Sequence, residues 1–218
     1  MRRTRSHATR ARPRAVDEPG SRDRLFAAAA AEFAARGFAG GNVDRIAAAA
    51  GVNKAMIYYH FKSKAALYQE ILGDMFHAVG GRIRAVAASD ATPEDKLKQF
   101  VEAIAAEAEA RPHFPPIWFR EIAEGGAHLG DTTMREVVGI VQGLITILQE
   151  GVRNGRFTPI HPLLLHGSIV GPLLFFFASA GVRQRLQRAG IAGAARFSRD
   201  EVVAHIQRVT LGLVQGRT

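Results

Sequence analysis

The sequence predicts an all-α fold of about nine helices, and three features carry that expectation. Apolar residues recur every three or four positions along most of the chain, the spacing of one helix face. Alternation of β-branched with polar residues, the mark of a half-buried strand, is nearly lacking. Glycine and proline fall between the periodic segments, next to Ser, Thr or Asn residues suited to capping.

The first helix is expected from Ser21, an N-cap followed by Asp23 and Arg24, through the tract Ala27 to Ala31. Leu25, Ala29 and Phe33 share one of its faces, and Arg36-Gly37-Phe38 should stop it, with Gly37 in the left-handed C-terminal conformation. Gly40 and Gly41 break the chain before Asn42, the cap of a short helix from Val43 to Ala50 that ends at Gly51. A third helix begins near Asn53 and reaches Phe61, and Ser63 caps a long fourth from Lys64 to Ala88. Thr92 and Pro93 open a fifth, ending near Glu109, because proline suits the first helical position. Pro112, Pro115 and Pro116 start a sixth that ends at Gly125 and Gly126; a seventh runs from Thr133 to Asn154 and an eighth from Pro162 to Ala180. Arg183 to Phe197 reads as an Arg- and Gly-rich connector, and Ser198 caps a last helix to Val214. Three regions follow: a basic arm (1–20), a small helical unit (21–66) and a larger one (67–218).

The net charge of +9 is unevenly placed. Six arginines and no acidic residue lie between Met1 and Arg14, so residues 1–14 supply +6 and the rest of the chain +3. An Arg-rich, Pro-containing stretch with few aliphatic residues cannot bury enough apolar surface to offset its ordering entropy, so it is expected to be disordered and to suit phosphates or any other polyanion. Cysteine is absent, which excludes disulfides, thiol catalysis and thiolate metal sites. The basic N-terminus leads into Ala-rich amphipathic sequence, not an apolar signal region, and this points to the cytoplasm. Leu163 to Val182 is uncharged over the length of a bilayer span. Its His166, Gly167, Ser168, Gly171, Pro172 and Ser179 better fit a helix buried on two sides by a partner subunit, so no membrane association is expected. Nucleophile-elbow, phosphate-loop and His-Glu-x-x-His motifs are lacking, so neither an enzyme nor a cofactor is expected.

The most informative stretch is Asn42 to Lys64, NVDRIAAAAGVNKAMIYYHFKSK. Two short helices crossing steeply need a small residue where one approaches the other, and Ala47 supplies it. Gly51 provides the positive φ of a tight turn, and Val52 would plug the gap between the helices. Ile57 would point back at Ile46 and Phe33, while Val43, Ile46, Ala47 and Ala50 face inward and leave Asp44 and Arg45 outside. On the following helix Lys54, Met56, Tyr58, Tyr59 and His60 are not all needed by the core, and adjacent Tyr58 and Tyr59 cannot both be buried on one face. Hydroxyls and an imidazole facing outward can donate to phosphate oxygens or base edges; Lys54 adds charge, Met56 can touch a thymine methyl, and Lys62 and Lys64 would flank the backbone. A helical hairpin with an aromatic core stripe is the bland alternative.

In order and spacing, Ser21 to Gly37, Phe38, Val43, Ile46-Ala47, Ala50-Gly51-Val52 and Ile57-Tyr58-Tyr59-His60-Phe61-Lys62-Ser63-Lys64 resemble the DNA-binding domain of the TetR/AcrR family over nearly its whole length. The resemblance implies an N-terminal three-helix helix-turn-helix domain and a C-terminal helical ligand-binding and dimerisation domain. It also implies a repressor released from a palindromic operator in double-stranded DNA by a small-molecule effector, with the fourth helix joining reading head to pocket. Asn42 and Val43 would then meet phosphates, Lys54, Ala55, Met56 and Tyr58 would face bases, and Tyr59, His60 and Lys64 would anchor to the backbone. Two departures bear on base preference rather than fold: the family often has Thr where Asn42 stands, and usually a hydroxyl residue and Gly where Asn53 and Ala55 stand.

For the larger unit the resemblance gives architecture only. The expected effector lining is His113, Phe114, Trp118, Phe119, Arg120, Glu121 and His128, with Phe76 and Phe100 as neighbours, although Trp118 and Phe119 would serve equally well as ordinary core. Glu121, Glu124 and His128 share helical spacing, but no metal site is expected from them. The helix from Leu163 to Ala180 and the final helix, with its stripe of Val202, Val203, Ile206, Val209, Leu213 and Val214, are the expected homodimer interface, where Gly167 and Gly171 allow close approach. An architectural DNA-binding dimer of the same fold without an effector is the alternative, and a filled interior would distinguish it.

Overall fold

The structure, a computed structural model, describes Gly20 to Gly216. The expected disordered arm, residues 1–20, thus lies outside the described residues except for Gly20. The described residues form ten helices and no strand. In chain order they are α1 (Ser21–Gly40), α2 (Val43–Ala50), α3 (Ala55–Phe61), α4 (Lys64–Ala88), α5 (Pro93–Ala110), α6 (Phe114–Ala123), α7 (Asp131–Arg153), α8 (Pro162–Ala178), α9 (Ala180–Arg188) and α10 (Arg199–Val214).

Four of the ten helix starts are set by side-chain caps. The Asn42 side chain accepts from the backbone N–H groups of Asp44 and Arg45, Ser63 from Ala66, and Thr92 from Asp95. Ser198 and Glu201 form a reciprocal capping box at the start of α10. Gly51 closes α2 in the left-handed conformation, at φ 66°.

Three expectations are corrected. Gly20, not Ser21, precedes α1, and Ser21 is a buried first-turn residue whose hydroxyl faces His60. Gly37 has φ 71° as expected, but it kinks α1 rather than ending it, and one further helical stretch runs to Gly40. The stretch read as a connector from Arg183 holds the larger part of α9, which brings the helix count among the described residues to ten. Arg, Gln and Leu favour helix, but α9 buries none of its residues, so no apolar periodicity announces it.

α1, α2 and α3 pack around Leu25, Phe33, Ile46 and Ile57, all fully buried. Side chains of this size each contribute roughly 1.5–3 kcal/mol on burial. α1 also packs on α4 and α6, which tie this small unit to the larger one. α4 packs most extensively on α7, and α5 sits among α4, α7, α8 and α10. α8 turns Leu165, Ile169, Leu173 and Leu174 inward and leaves Leu163, Leu164 and Phe175 exposed. On α10, Val203, Ile206 and Val214 are buried against the same chain and Val209 is exposed. No single helix among the described residues is long and apolar enough to cross a membrane; α8 and α9 together have the length and composition but are bent by 59° at their junction.

Candidate nucleic-acid interface

α3 is tethered on three sides, and this decides which of its residues face outward. Val52 N–H donates to the Ala47 carbonyl across the turn, and the Asn53 side chain accepts from Ala55 N–H at the helix start. At the other end Lys62, with a positive φ of 67°, donates its N–H to the Tyr58 carbonyl. Met56, Ile57 and Phe61 are buried between these tethers. Tyr58 and Tyr59 remain outside, 49% and 68% exposed, with Lys54 and Ala55 exposed at the N-terminal end.

Met56 contradicts its assignment to the base-facing side, because it is only 2% exposed. A seven-residue helix has room for few inward positions, and Met56, Ile57 and Phe61 take them. Each other expected DNA-facing residue has a definite place. Asn42 is exposed at the start of α2 and Val43 beside it is half-buried. His60 is half-buried, its Nε2 2.8 Å from Ser21 Oγ. Lys64 donates to the Gly41 carbonyl at 2.9 Å, and its ammonium sits 4.6 Å from the centre of the Phe38 ring.

Three residues to which sequence reasoning gave no part in this surface shape it. Glu32 is buried on α1 and accepts from Asn42 N–H at 3.1 Å and from the Arg45 and Arg36 guanidinium groups, which fixes the α1–α2 corner. The hydrogen bond from Arg45 is the main cause holding its carboxyl below the usual range. A carboxylate on the same face as Leu25, Ala29 and Phe33 was the signal available. Asp44 lies 2.9 Å from the Lys54 ammonium, and that hydrogen bond raises the pKa of Lys54. Ser21 ties the first turn of α1 to the end of α3.

The expected effector residues do not form one group. Phe76 meets Trp118 edge to face at 4.9 Å and Phe114 at 5.6 Å, whereas the ring beside Phe100 is that of His166, at 6.4 Å. Phe119 is half-buried against the core. Arg120, Glu121 and His128 lie at the junction with α1. Arg120 donates to the Ala35 carbonyl at 3.0 Å, and the His128 ring lies 4.4 Å from Phe38. Glu121, fully buried, accepts from the Tyr68 hydroxyl at 2.6 Å and from His128 Nδ1 at 3.0 Å. Burial first, and then this hydrogen bond, push the Tyr68 hydroxyl upward. Burial likewise lowers the pKa of His113, whose Nε2 is enclosed without a hydrogen-bond partner. Glu121, Glu124 and His128 each bring one ligand atom within 4.8 Å of the others, a spacing a metal ion could use, but Tyr68 and His128 already satisfy Glu121. A cleft of about 640 Å³ between α4 and α7, lined by Gln69, Gly73, Asp74, His77, Thr133 and Glu136, contains none of the expected effector residues.

Residues 25–71, from α1 into α4, match the family model for bacterial regulatory proteins of the tetR family. The HTH-type transcriptional repressor KstR2 of Mycolicibacterium smegmatis is 32% identical over 150 residues, which cover 67% of this chain and 73% of that protein. This chain belongs to the TetR family. Solved structures agree on the fold of the TetR-family chain along its length. A regulatory protein of the tetR family from Rhodococcus RHA1 has a TM-score of 0.72 at 18% identity, covering 90% of this chain and 98% of its own. The transcriptional regulator FadR from Bacillus subtilis, solved with stearoyl-CoA, has a TM-score of 0.67 at 19% identity, covering 89% and 98%. This TetR-family protein is a DNA-binding transcriptional regulator, all-α, with an N-terminal helix-turn-helix and a C-terminal helical region.

Proposed function

We propose that the protein is a cytoplasmic homodimeric repressor, without enzymatic activity, that sets two α3 helices in successive major grooves about 34 Å apart on a palindromic operator. The observation that carries this reading is the exposed Tyr58–Tyr59 face of α3 beside the Asn42-capped start of α2. Tyr58, Lys54 and Ala55 reach base edges; Tyr59, His60 and Lys64 hold the backbone; the positive end of α2 at Asn42 and Val43 receives a phosphate. Dimerisation uses α8 and α10. Leu163, Leu164 and Phe175 stand exposed on α8, and a Cβ added at Gly167 or Gly171 would meet nothing within 4 Å, so a second copy can approach closely.

A small-molecule effector binding near Phe76, His113 and Trp118 would act through α6. That helix carries Trp118 against α4 and Arg120 against the backbone of α1, so its displacement changes how the reading unit sits. Because FadR of Bacillus subtilis holds stearoyl-CoA in this fold, long-chain acyl-CoA is the first effector class to test.

Selection of duplexes from a random pool tests the reading. Full-length protein should enrich a two-fold symmetric site with half-site centres one helical turn apart, and Tyr58→Ala with Tyr59→Ala should lose the enrichment. A non-symmetric consensus, or a single-subunit species in solution, would refute it. An effector that binds tightly yet leaves operator affinity unchanged would leave the architectural dimer as the answer.

A further inference from the structure

We propose that Glu121, Glu124 and His128 form a binding site for a divalent first-row transition metal ion, Zn2+ above all, where the end of α6 meets α4 and α1. The site uses neither the Tyr58–Tyr59 face nor Phe76, His113 and Trp118, so it holds whether or not α3 reads DNA.

The turn after α6 builds the cluster. Were α6 to continue, Glu121 and His128 would lie two turns, about 10 Å, apart along its axis, so their spacing in sequence carried no expectation of a metal site. Gly125 and Gly126 instead take positive φ, 69° and 74°, and fold the chain back. His128 is then fixed through its backbone: its N–H donates to Glu121 Oε2 at 3.2 Å and its carbonyl accepts from the Gln69 side chain. Its Nδ1 lies 3.0 Å from Glu121 Oε1 and 3.5 Å from Glu124 Oε2, and one ligand atom of each residue falls within 4.8 Å of the other two. Ligand atoms bound at about 2.0–2.2 Å to a tetrahedral zinc ion stand roughly 3.3–3.6 Å from one another, so the three donors are set near the corners such an ion requires. The fourth corner takes water, which enters past the half-exposed Glu124.

Electrostatics favour a cation at this place. Glu121 is fully buried, and among the described residues neither it nor Glu124 pairs with a lysine or arginine. Arg120, next in sequence, directs its guanidinium to the Ala35 carbonyl. Between the imidazole nitrogen and two carboxylate oxygens, all carrying lone pairs, only a proton or a metal ion is favourable, and a proton brings one positive charge against two negative ones. A divalent ion balances both carboxylates. The hydrogen bonds that satisfy Glu121 are compatible with it: the Tyr68 hydroxyl, 2.6 Å from Oε1, stays and orients the carboxylate, while the ion takes the place of a proton on Nδ1. Two carboxylates and an imidazole, in a chain without cysteine, suit zinc and its neighbours better than calcium or magnesium, which favour oxygen alone. Because the His128 ring lies 4.4 Å from Phe38 of α1, an ion here also stiffens the seat of the small unit on the larger one.

The test titrates chelator-stripped, full-length protein with Zn2+ by calorimetry near neutral pH, beside Glu124→Gln and His128→Gln. The parent should bind one ion per chain, with a dissociation constant of about micromolar or below, and its melting temperature should rise with Zn2+ concentration. Each variant should weaken this binding at least about 10-fold and lose the rise in melting temperature. Glu124→Gln alters one exposed side chain, so its metal-free melting temperature should match the parent's, which separates lost ligation from lost folding. Co2+ in the same site should give the visible absorption of a low-coordinate ion in the parent and not in the variants. Absence of saturable Zn2+ binding by the parent would overturn the proposal, and so would binding that either variant leaves unchanged.

Discussion

Replacing Glu32 by alanine is expected to loosen the corner between α1 and α2. Its carboxylate receives Asn42 N–H at 3.1 Å, Arg45 at 2.8 and 2.6 Å, and Arg36 at 3.0 Å. A hydrogen bond to a charged acceptor contributes about 1.5–3 kcal/mol, and its removal leaves a backbone donor without its partner. The two arginines are about half exposed, so their pairs with Glu32 contribute only about 0.5 kcal/mol each. The expected loss is therefore about 2.5–4 kcal/mol, or roughly 5–15 °C in melting temperature for a chain of this size, read by circular dichroism near neutral pH. Arg36→Ala removes only an exposed partner and should shift the melt by less than about 2 °C. Because Arg45 holds the Glu32 carboxyl below its ordinary value of 4.5, the folded state binds this proton less readily than the unfolded state. The stabilisation is thus present above that value and is lost as pH falls below it, so the two melting curves should converge in acid. Equal melting of Glu32→Ala and Arg36→Ala at neutral pH would refute the assignment of the corner to this carboxylate.

Asp44→Asn should free the Lys54 ammonium and remove a negative charge from the DNA-facing side; operator affinity should rise about 3- to 10-fold at low salt, and an unchanged or weaker complex would count against Lys54 as a DNA contact. Met56→Ala should cost about 2–5 kcal/mol of stability and leave the selected consensus intact, whereas a changed base preference in a stably folded variant would return Met56 to the groove. Burial lowers the pKa of both His113 and His166 below the ordinary 6.5, so the unfolded state takes up protons first and stability should fall as pH drops through that value. Thermal melts between about pH 7.5 and 5.5 should show this slope in the native protein and a flatter one when both histidines are changed to Gln; an equal slope would place the titration elsewhere.

The parts of this molecule legible in the sequence are those decided within a few residues. Asn42, Ser63, Thr92 and Ser198 each cap the helix they precede, because the acceptor oxygen and the donor N–H groups lie two or three positions apart whatever the rest of the chain does. Gly51 is legible for the same reason, since its positive φ is required by the turn itself. The side a residue faces on a short helix is different, because it depends on which neighbours arrive. On α3 the adjacent tyrosines could be placed outside by exclusion, whereas Met56 is compatible with either side until the surrounding helices bury it.

Buried charge marks the sharper boundary between what could and could not be read. Glu32 and Glu107 look like solvated residues of amphipathic helices and Glu121 like ligand lining, yet all three are buried, and each is met there by a donor from outside its own helix. For Glu121 that donor is Tyr68, more than fifty residues away, and for Glu107 it includes Arg82. A buried carboxylate that lost its donor would be a large penalty, so these contacts hold α4 and α6 in register and carry α6 to α1 through Arg120. The expected effector residues show the same limit: Arg120, Glu121 and His128 read as ligand chemistry because they are polar and close in sequence, and the contacts they make across the α1–α4–α6 junction were not legible there. Phe76, His113 and Trp118 have no such structural duty among the polar contacts, so substitutions there leave that joint in place.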